Sequence, residues 1–159
     1  MVIIDRATGY CGSYPKGSKS AAHTKQGFKE FFGVKSKPKL IYFDNAPELT
    51  SAALGLGWIY DTSTPGDSES NGVVERAVGV VKQVTRTALA TGGLIPGHWP
   101  IGSMHHCNSR NFDIIDGNSA WHLRHKGGHF PGIQLPLAAA CDFMPTAAML
   151  EKEPDLGPR

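Results

Sequence analysis

The chain is 159 residues long, which is one domain's worth and enough to enclose a single core. Its formal net charge of +2 is close to neutral, so overall charge gives no argument for nucleic-acid binding and leaves that function to a local patch. Three cysteines, Cys11, Cys107 and Cys141, are odd in number and far apart, the pattern of free thiols in an intracellular protein; no apolar run is long enough to cross a membrane, no signal peptide opens the chain and no internal repeat occurs.

Met1 to Ile4 is strand-like, Gly9 marks a bend, and Tyr10 to Tyr14 is expected to pair back as a short antiparallel strand before Pro15. Lys16-Gly17-Ser18-Lys19 is a polar turn. Ser20 is placed to cap a helix from Ala21 to about Phe32, with Ala21, Ala22, Phe28, Phe31 and Phe32 as its apolar side and Gly27 as a weak point. Lys35 to Pro38 is a basic connector. The run Lys39-Leu40-Ile41-Tyr42-Phe43-Asp44-Asn45 predicts a buried strand that ends in a carboxylate. Ala52, Ala53, Leu54, Leu56 and Trp58 form a short apolar helix or turn interrupted by Gly55 and Gly57. Ile59 to Ser63 is a small edge strand, and Thr64 to Ser70 is a loop of Pro, Gly and Ser, equally a lid beside a site or a surface connector.

Val73, Val74, Ala77, Val78, Val81, Val84 and Ala88 then recur at three- and four-residue steps, which predicts an amphipathic helix over about 72–90. Ser70 or Asn71 stands at its N-cap and Gly72 eases the entry. Glu75 falls in the expected first turn, on the face that also carries Gly79, Lys82 and Arg86. Thr91-Gly92-Gly93 ends this helix and Pro96-Gly97 extends the break. Another helix from His98 to about Asn111 is expected to turn Trp99, Ile101, Met104 and Cys107 inward. His105-His106-Cys107 does not read as a zinc site, because adjacent helical residues point in different directions and no Cys-x-x-Cys partner exists. Ser119 to Lys126 is a basic, His-bearing segment that begins as a helix, open to DNA phosphates or to solvent. Leu135 to Phe143 reads as an apolar strand, and the chain from Glu151 onward as a frayed tail.

A carboxylate at the carboxyl end of a strand faces the crevice where an α/β sheet binds ligands. With the predicted helix packed beside that strand, Asp44 and Glu75 form a pair of hard oxygen donors suited to Mg²⁺ or Mn²⁺. Each has an ordinary alternative: an Asp before Asn is a common turn residue, and a first-turn Glu complements the helix dipole.

Asp44-Asn45-Ala46-Pro47-Glu48-Leu49, Thr64-Pro65-Gly66 and Ser70-Asn71-Gly72-Val73-Val74-Glu75-Arg76, in that order, resemble the second half of the integrase catalytic core of retroviruses and long-terminal-repeat retrotransposons. That family carries an Asp-Asn-Gly-type turn, a mobile Pro-containing loop and an Asn-Gly-Val-x-Glu-Arg helix start. Val2 to Tyr10 is similar to its second strand. Trp99, Asn108-Ser109-Arg110-Asn111 and the segment from Phe130 to Pro145 are similar to the later helices and the strand that follows them in copia-like elements. The resemblance implies an α/β, ribonuclease-H-like core over 1–125, a post-core strand segment over 126–150 and a flexible tail over 151–159. It implies metal-dependent 3′-end processing and strand transfer by a retrotransposon, with Asp44 and Glu75 as catalytic ligands of Mg²⁺ or Mn²⁺. Lys82, Arg86 and Asn71 would lie on the DNA side. Element ends and target DNA would be the partners of a homo-oligomeric, nuclear parent protein.

The resemblance also marks a gap. The family uses two aspartates and a glutamate, and its first Asp lies on a strand that precedes the second-strand pattern. Asp5 begins that second pattern, Asp5-Arg6-Ala7-Thr8-Gly9-Tyr10, and is expected to cap a turn, to pair with Arg6 or a lysine, or to face solvent. The expected fold is therefore an integrase core lacking its first strand and first catalytic Asp, a fragment of a longer protein in which two metal ions bind only if the missing carboxylate is supplied. That strand is central in the ribonuclease-H-like sheet, flanked by the second strand and the one ending at Asp44. Its loss leaves open edges on both neighbours and predicts a poorly stable isolated chain. Thirty residues separate Asp44 from Glu75, fewer than is common in retroviral integrases, which predicts a shortened intervening helix. Two alternatives stand beside this reading. One is a non-catalytic remnant that at most binds nucleic acid or a partner subunit. The other is a ribonuclease-H-like nuclease without transferase activity, against which the wording around Glu75 argues.

Overall fold

The computed structural model describes residues 1–63, 68–141 and 151, and only the backbone of 68–71. Strands β1 (Val2–Ile4) and β2 (Cys11–Ser13) form an antiparallel ribbon in the register Val2 to Ser13, Ile3 to Gly12 and Ile4 to Cys11. Asp5 closes the turn between them. Its Oδ1 accepts the Ala7 N–H at 3.0 Å and its Oδ2 the Thr8 hydroxyl at 2.8 Å, while Gly9, at a φ of 73°, takes the left-handed conformation the return requires. The cation beside Asp5 is Arg124, at 3.7 Å, and not Arg6 or a lysine.

Helix α1 (Ala21–Phe32) begins where the sequence predicts, with the Ser20 hydroxyl accepting the His23 N–H at 3.2 Å. Its inner face is Thr24, Gly27, Phe28 and Phe31, while Ala22 is exposed. Gly27 lies on this inner face, where a Cβ would meet the end of the Met1 side chain.

Strands β3 (Ile41–Phe43) and β4 (Tyr60–Thr62) pair in parallel in the register Ile41 to Tyr60, Tyr42 to Asp61 and Phe43 to Thr62. The connection between them contains α2 (Pro47–Leu56), which starts earlier than the expected apolar stretch. Proline's fixed φ suits the first helical position, and Gly57, at a φ of 63°, ends the helix. Only Phe43 of β3 is buried, so the strand expected to be buried throughout is half-buried.

Helix α3 (Ser68–Thr91) starts before Ser70 and Asn71, which are helical residues rather than N-caps. Gly72 is tolerated inside the helix at about 1 kcal/mol relative to Ala. Its buried positions include Val81, Thr85 and Leu89, whereas Val73 and Val84 of the predicted stripe are exposed. A single 3-10 turn (Pro96–His98) leads into α4 (Trp99–Phe112), and Ser119 caps α5 (Ala120–His125) by accepting the His122 N–H at 3.1 Å.

The expectation for the inner face of α4 is overturned. Trp99, Ile101 and Met104 are exposed, and the helix buries Gly102, Ser103, Cys107 and Asn111. Small and polar residues are selected here because β2 runs close by. Asn111 accepts the Cys11 N–H at 2.8 Å and donates to the Cys11 carbonyl at 2.7 Å. The Ser13 and Ser103 hydroxyls bond at 2.9 Å, and the Cys11 and Cys107 sulfurs lie 3.5 Å apart. All three cysteines are free, as expected.

The strand expected from Leu135 is not present over 135–141. A turn at Leu137-Ala138 breaks it, with Ala138 at a φ of 63° and the Ala139 N–H donating to Pro136 at 3.1 Å. The rest of that strand, residues 64–67 of the expected loop, and 152–159 of the expected tail lie outside the described residues.

Alternation along β1 organises the layers. Val2 and Ile4 pack on Cys11, Val81 and Cys107, toward α3 and α4, while Met1 and Ile3 pack on Phe28, Ala52 and Trp58, toward α1 and α2. Among the described residues no helix is long and apolar enough to cross a membrane.

Candidate functional site

Asp44 follows β3 at its carboxyl end and is exposed. The turn beyond it closes without its carboxylate: the Ala46 N–H donates to the Asp44 carbonyl at 2.7 Å, and Asn45 Nδ2 donates to the Ser63 carbonyl at 3.0 Å. Asn45 is therefore the turn-holding residue, and no ion pair among the described residues engages Asp44. Glu75 is exposed on α3, about two turns beyond Ser68 rather than in the first turn, so complementing the helix dipole does not account for it. Gly79, Lys82 and Arg86 are also exposed, so the predicted stripe of one carboxylate and two cations stands at the surface. The side chain of Asn71 lies outside the described residues. Among the described residues no group of three or more His, Cys, Asp or Glu side chains is gathered to hold a metal ion, so neither carboxylate meets two further ligands of those types there.

The remaining polar candidates are engaged elsewhere. His105 Nε2 lies 2.8 Å from the Leu135 carbonyl oxygen, and the Cys107 sulfur sits on Cys11. Burial, with the Arg110 charge added, pushes the His106 imidazole below the usual histidine range. Arg124, a candidate for DNA phosphates in the sequence, instead stacks on the rings of Tyr10 and Phe31, 4.6 and 4.3 Å from their centroids, and pairs with Asp5.

Beside Asp44 the backbone itself is incomplete. In the β1–β2 ribbon the hydrogen-bonded pairs are Met1 with Tyr14 and Asp5 with Tyr10, so the N–H and C=O groups of Val2 and Ile4 point to the opposite edge. In the β3–β4 pair, Ile41 N–H donates to Ile59 and Phe43 C=O accepts from Ser63, so Tyr42 presents its backbone groups away from β4. The two ribbons are separate sheets. Yet Ile3 of β1 and Ile41 of β3 pack on the same Phe28–Ala52–Trp58 cluster, so both open edges border one core.

No protein-family model matches the sequence, and no curated protein matches it. Solved structures do. The HTLV-2 integrase catalytic core domain in complex with magnesium, in its dimeric form, is similar at 21% identity with a TM-score of 0.58, over 78% of this chain and 82% of that one. The catalytic core domain of BIV integrase is similar at 17% identity and a TM-score of 0.59, over 79% and 84%. The integrase-type match to a simian T-cell lymphotropic virus intasome in complex with the PP2A regulatory subunit B56 gamma has 20% identity and a TM-score of 0.61, over 92% of this chain and 52% of that one. This chain has the integrase-core fold. The two open edges belong to the strands that the motif resemblance expected to flank a missing central one.

One feature of the integrase-core surface escaped the sequence. Lys82 and Arg86 border a groove whose other walls include Thr85, Leu89, Leu94 and Trp99. The available signal was Thr85 itself, a polar residue in the otherwise apolar series Val81, Thr85, Leu89.

Proposed function

We propose that this chain is part of a retrotransposon integrase, a polynucleotidyl transferase in which Asp44 and Glu75 are two of three metal-binding carboxylates. The third comes from an added strand that pairs between β1 and β3. The observation that carries this reading is the pair of open edges at Val2, Ile4 and Tyr42. Backbone groups at a half-buried edge stay unsatisfied unless a strand or water meets them, and this edge adjoins the turn at Asp44.

The donor chemistry fits a hard divalent cation. Asp44 and Glu75 are oxygen ligands, and Mg²⁺ is commonly held by one or two carboxylates with the remaining positions on water and substrate phosphate. A bound divalent metal lowers the pKa of an attacking water or hydroxyl and offsets charge on the phosphoryl oxygens. In this reading Asp44 and Glu75 act as ligands and shuttle no proton. Lys82 and Arg86 neutralise phosphates along α3 and fix the position of the strand without reading its sequence. Asn71, in the same helix, contributes from the DNA side. A homo-oligomer is part of the proposal, because similar cores are described in dimeric and trimeric forms and in an intasome. So is a nuclear site of action, where target DNA lies.

The experiment uses the chain extended by a strand that carries the third carboxylate, with a labelled DNA end and Mg²⁺ or Mn²⁺. The extended protein is expected to join the end to target DNA, and Glu75→Gln to abolish joining while DNA binding survives. Joining by the Glu75→Gln protein removes Glu75 from the mechanism. A non-catalytic remnant is the second reading, favoured by the lack of a three-ligand group among the described residues. It predicts that the extended protein binds DNA and never joins it.

A further inference from the structure

Ser103, Cys107 and Asn111 follow one another at steps of four along the buried face of α4, and each of them meets β2. On one side the Ser13 and Ser103 hydroxyls bond to each other, and on the other the Asn111 amide holds both backbone groups of Cys11. Between these two clamps the Cys11 and Cys107 sulfurs lie 3.5 Å apart. Both thiols are 1% exposed, and they share a cluster with Val81 of α3. Two small apolar residues would fill this space equally well, so packing alone does not call for a pair of thiols. What sets the pair apart is its placement, 96 residues apart in sequence on two elements held together on both flanks. A bond between the sulfurs needs a further approach of about 1.5 Å. With the backbones clamped, that movement falls to the two side-chain torsions. The loop such a bond would close contains α1, α2 and α3, together with Asp44 and Glu75. Long loops are where a cross-link removes most freedom from the unfolded chain.

We propose that Cys11 and Cys107 form a reversible disulfide that locks β2 onto α4 when the chain meets an oxidising small-molecule disulfide, here glutathione disulfide, and that reducing conditions return the pair to thiols. The step is thiol–disulfide exchange. One cysteine thiolate attacks a sulfur of glutathione disulfide, forming a mixed disulfide and releasing one glutathione thiolate. The other cysteine thiolate then attacks the protein sulfur of that mixed disulfide, which makes the Cys11–Cys107 bond and releases the second glutathione thiolate. The two cysteines are oxidised, one glutathione disulfide is reduced to two glutathiones, and the two cysteine protons pass to them. Because both sulfurs are buried, exchange takes place in molecules opened at the contact of β2 with α4, and reclosure shields the bond. The lock concerns the stability of the fold and stands apart from the reading of Asp44 and Glu75.

The full chain, held in glutathione buffers of increasing oxidised fraction, then alkylated, digested and mapped by mass spectrometry, tests this. The peptides of Cys11 and Cys107 are expected to be joined, with the exposed Cys141 left outside the link. In urea the oxidised chain should show a folding equilibrium constant about a hundredfold above that of the reduced chain. Urea below the unfolding transition should speed formation of the link, because it populates the open molecules. Cys107→Ser should lose both the link and the oxidant-dependent gain, while Cys141→Ser keeps both. Should Cys107→Ser fail to fold, the peptide map and the two urea midpoints of the parent chain still decide. If Cys11 and Cys107 remain thiols, or carry only glutathione, in buffers that fully modify Cys141, the proposal is overturned. A Cys11–Cys107 link that lowers the urea midpoint overturns it as well, because the bond would then distort the contact it is meant to hold.

Discussion

The two faces of the β1–β2 ribbon are held by different physics. Toward α1 and α2 the contact is aromatic: Phe28 stacks on Trp58 at 5.6 Å, Phe32 meets the same ring edge-on at 5.4 Å, and Ala52 fills the space beside them. Toward α3 and α4 the contact is made by small side chains and a hydrogen-bonded clamp from Asn111 to Cys11, across a hundred residues of sequence. An apolar cluster tolerates small shifts in geometry, whereas a buried amide that satisfies both an N–H and a C=O does not. The α4 face therefore fixes where the ribbon sits. The α1 and α2 face carries the larger aromatic side chains, and Ile3 of β1 and Ile41 of β3 both pack on it.

That contrast sets the order of expected effects. With its strand edges open, the isolated chain is expected to unfold in urea with a stability below the 5–15 kcal/mol usual for natural domains. Trp58→Ala removes the centre of the aromatic cluster and should cost about 3–5 kcal/mol, enough to leave the chain unfolded without denaturant. A cooperative urea transition retained by that variant would show that the aromatic face does not dominate. Asn111→Leu comes next. It strands the Cys11 N–H and C=O in the core, at about 1–3 kcal/mol for each group, and should lower the urea midpoint with α1 still helical. An Asn111→Leu protein with an unchanged midpoint would mean that water reaches Cys11 and that the clamp is not needed. Ser103→Ala, which breaks one hydroxyl pair on the same face, should cost about 1 kcal/mol in the same measurement.

The same contrast explains what could be read in advance. Local chemistry was legible: Ser20 announces α1 to the residue, and the Asp5 to Tyr10 turn announces the β1–β2 pair, because caps and turns are decided within a few residues. The inner face of α4 was not legible from hydrophobicity, since Trp99, Ile101 and Met104 form the more apolar stripe. What decides that face is the close approach of β2, which selects Gly102, Ser103, Cys107 and Asn111. The spacing of Ser103, Cys107 and Asn111 by four carries that signal only when it is read for size and hydrogen bonding. Asp44 and Glu75 stood out through the resemblance of the words around them and not through periodicity. Glu75 was placed in the first turn because Ser70 or Asn71 was read as the N-cap, whereas the helix already runs from Ser68. The groove at Trp99 was hidden for the reason that defeated the α4 reading: a tryptophan in an apolar stripe was assigned to the core.

The smallest effect distinguishes the faces by pH. His106 lies on α4, where burial first and the Arg110 cation second hold its imidazole below the ordinary value, opposed by Asp113 and aided least by His105. The unfolded chain returns it to about 6.5, so just below that pH the unfolded state binds more protons than the folded one. Stability should therefore be level above about pH 7 and fall as the pH drops through 6.5 toward 5, because protonation drives unfolding. His106→Gln, which cannot titrate, should flatten that part of the melting-temperature profile and leave the value above pH 7 close to that of the parent. The group is partly exposed, so the slope is shallow compared with the losses at Trp58 and Asn111. If the profile of His106→Gln still falls between pH 7 and 5 as the parent's does, the titrating group lies elsewhere, and the α4 face owes its pH response to something other than the burial of this imidazole.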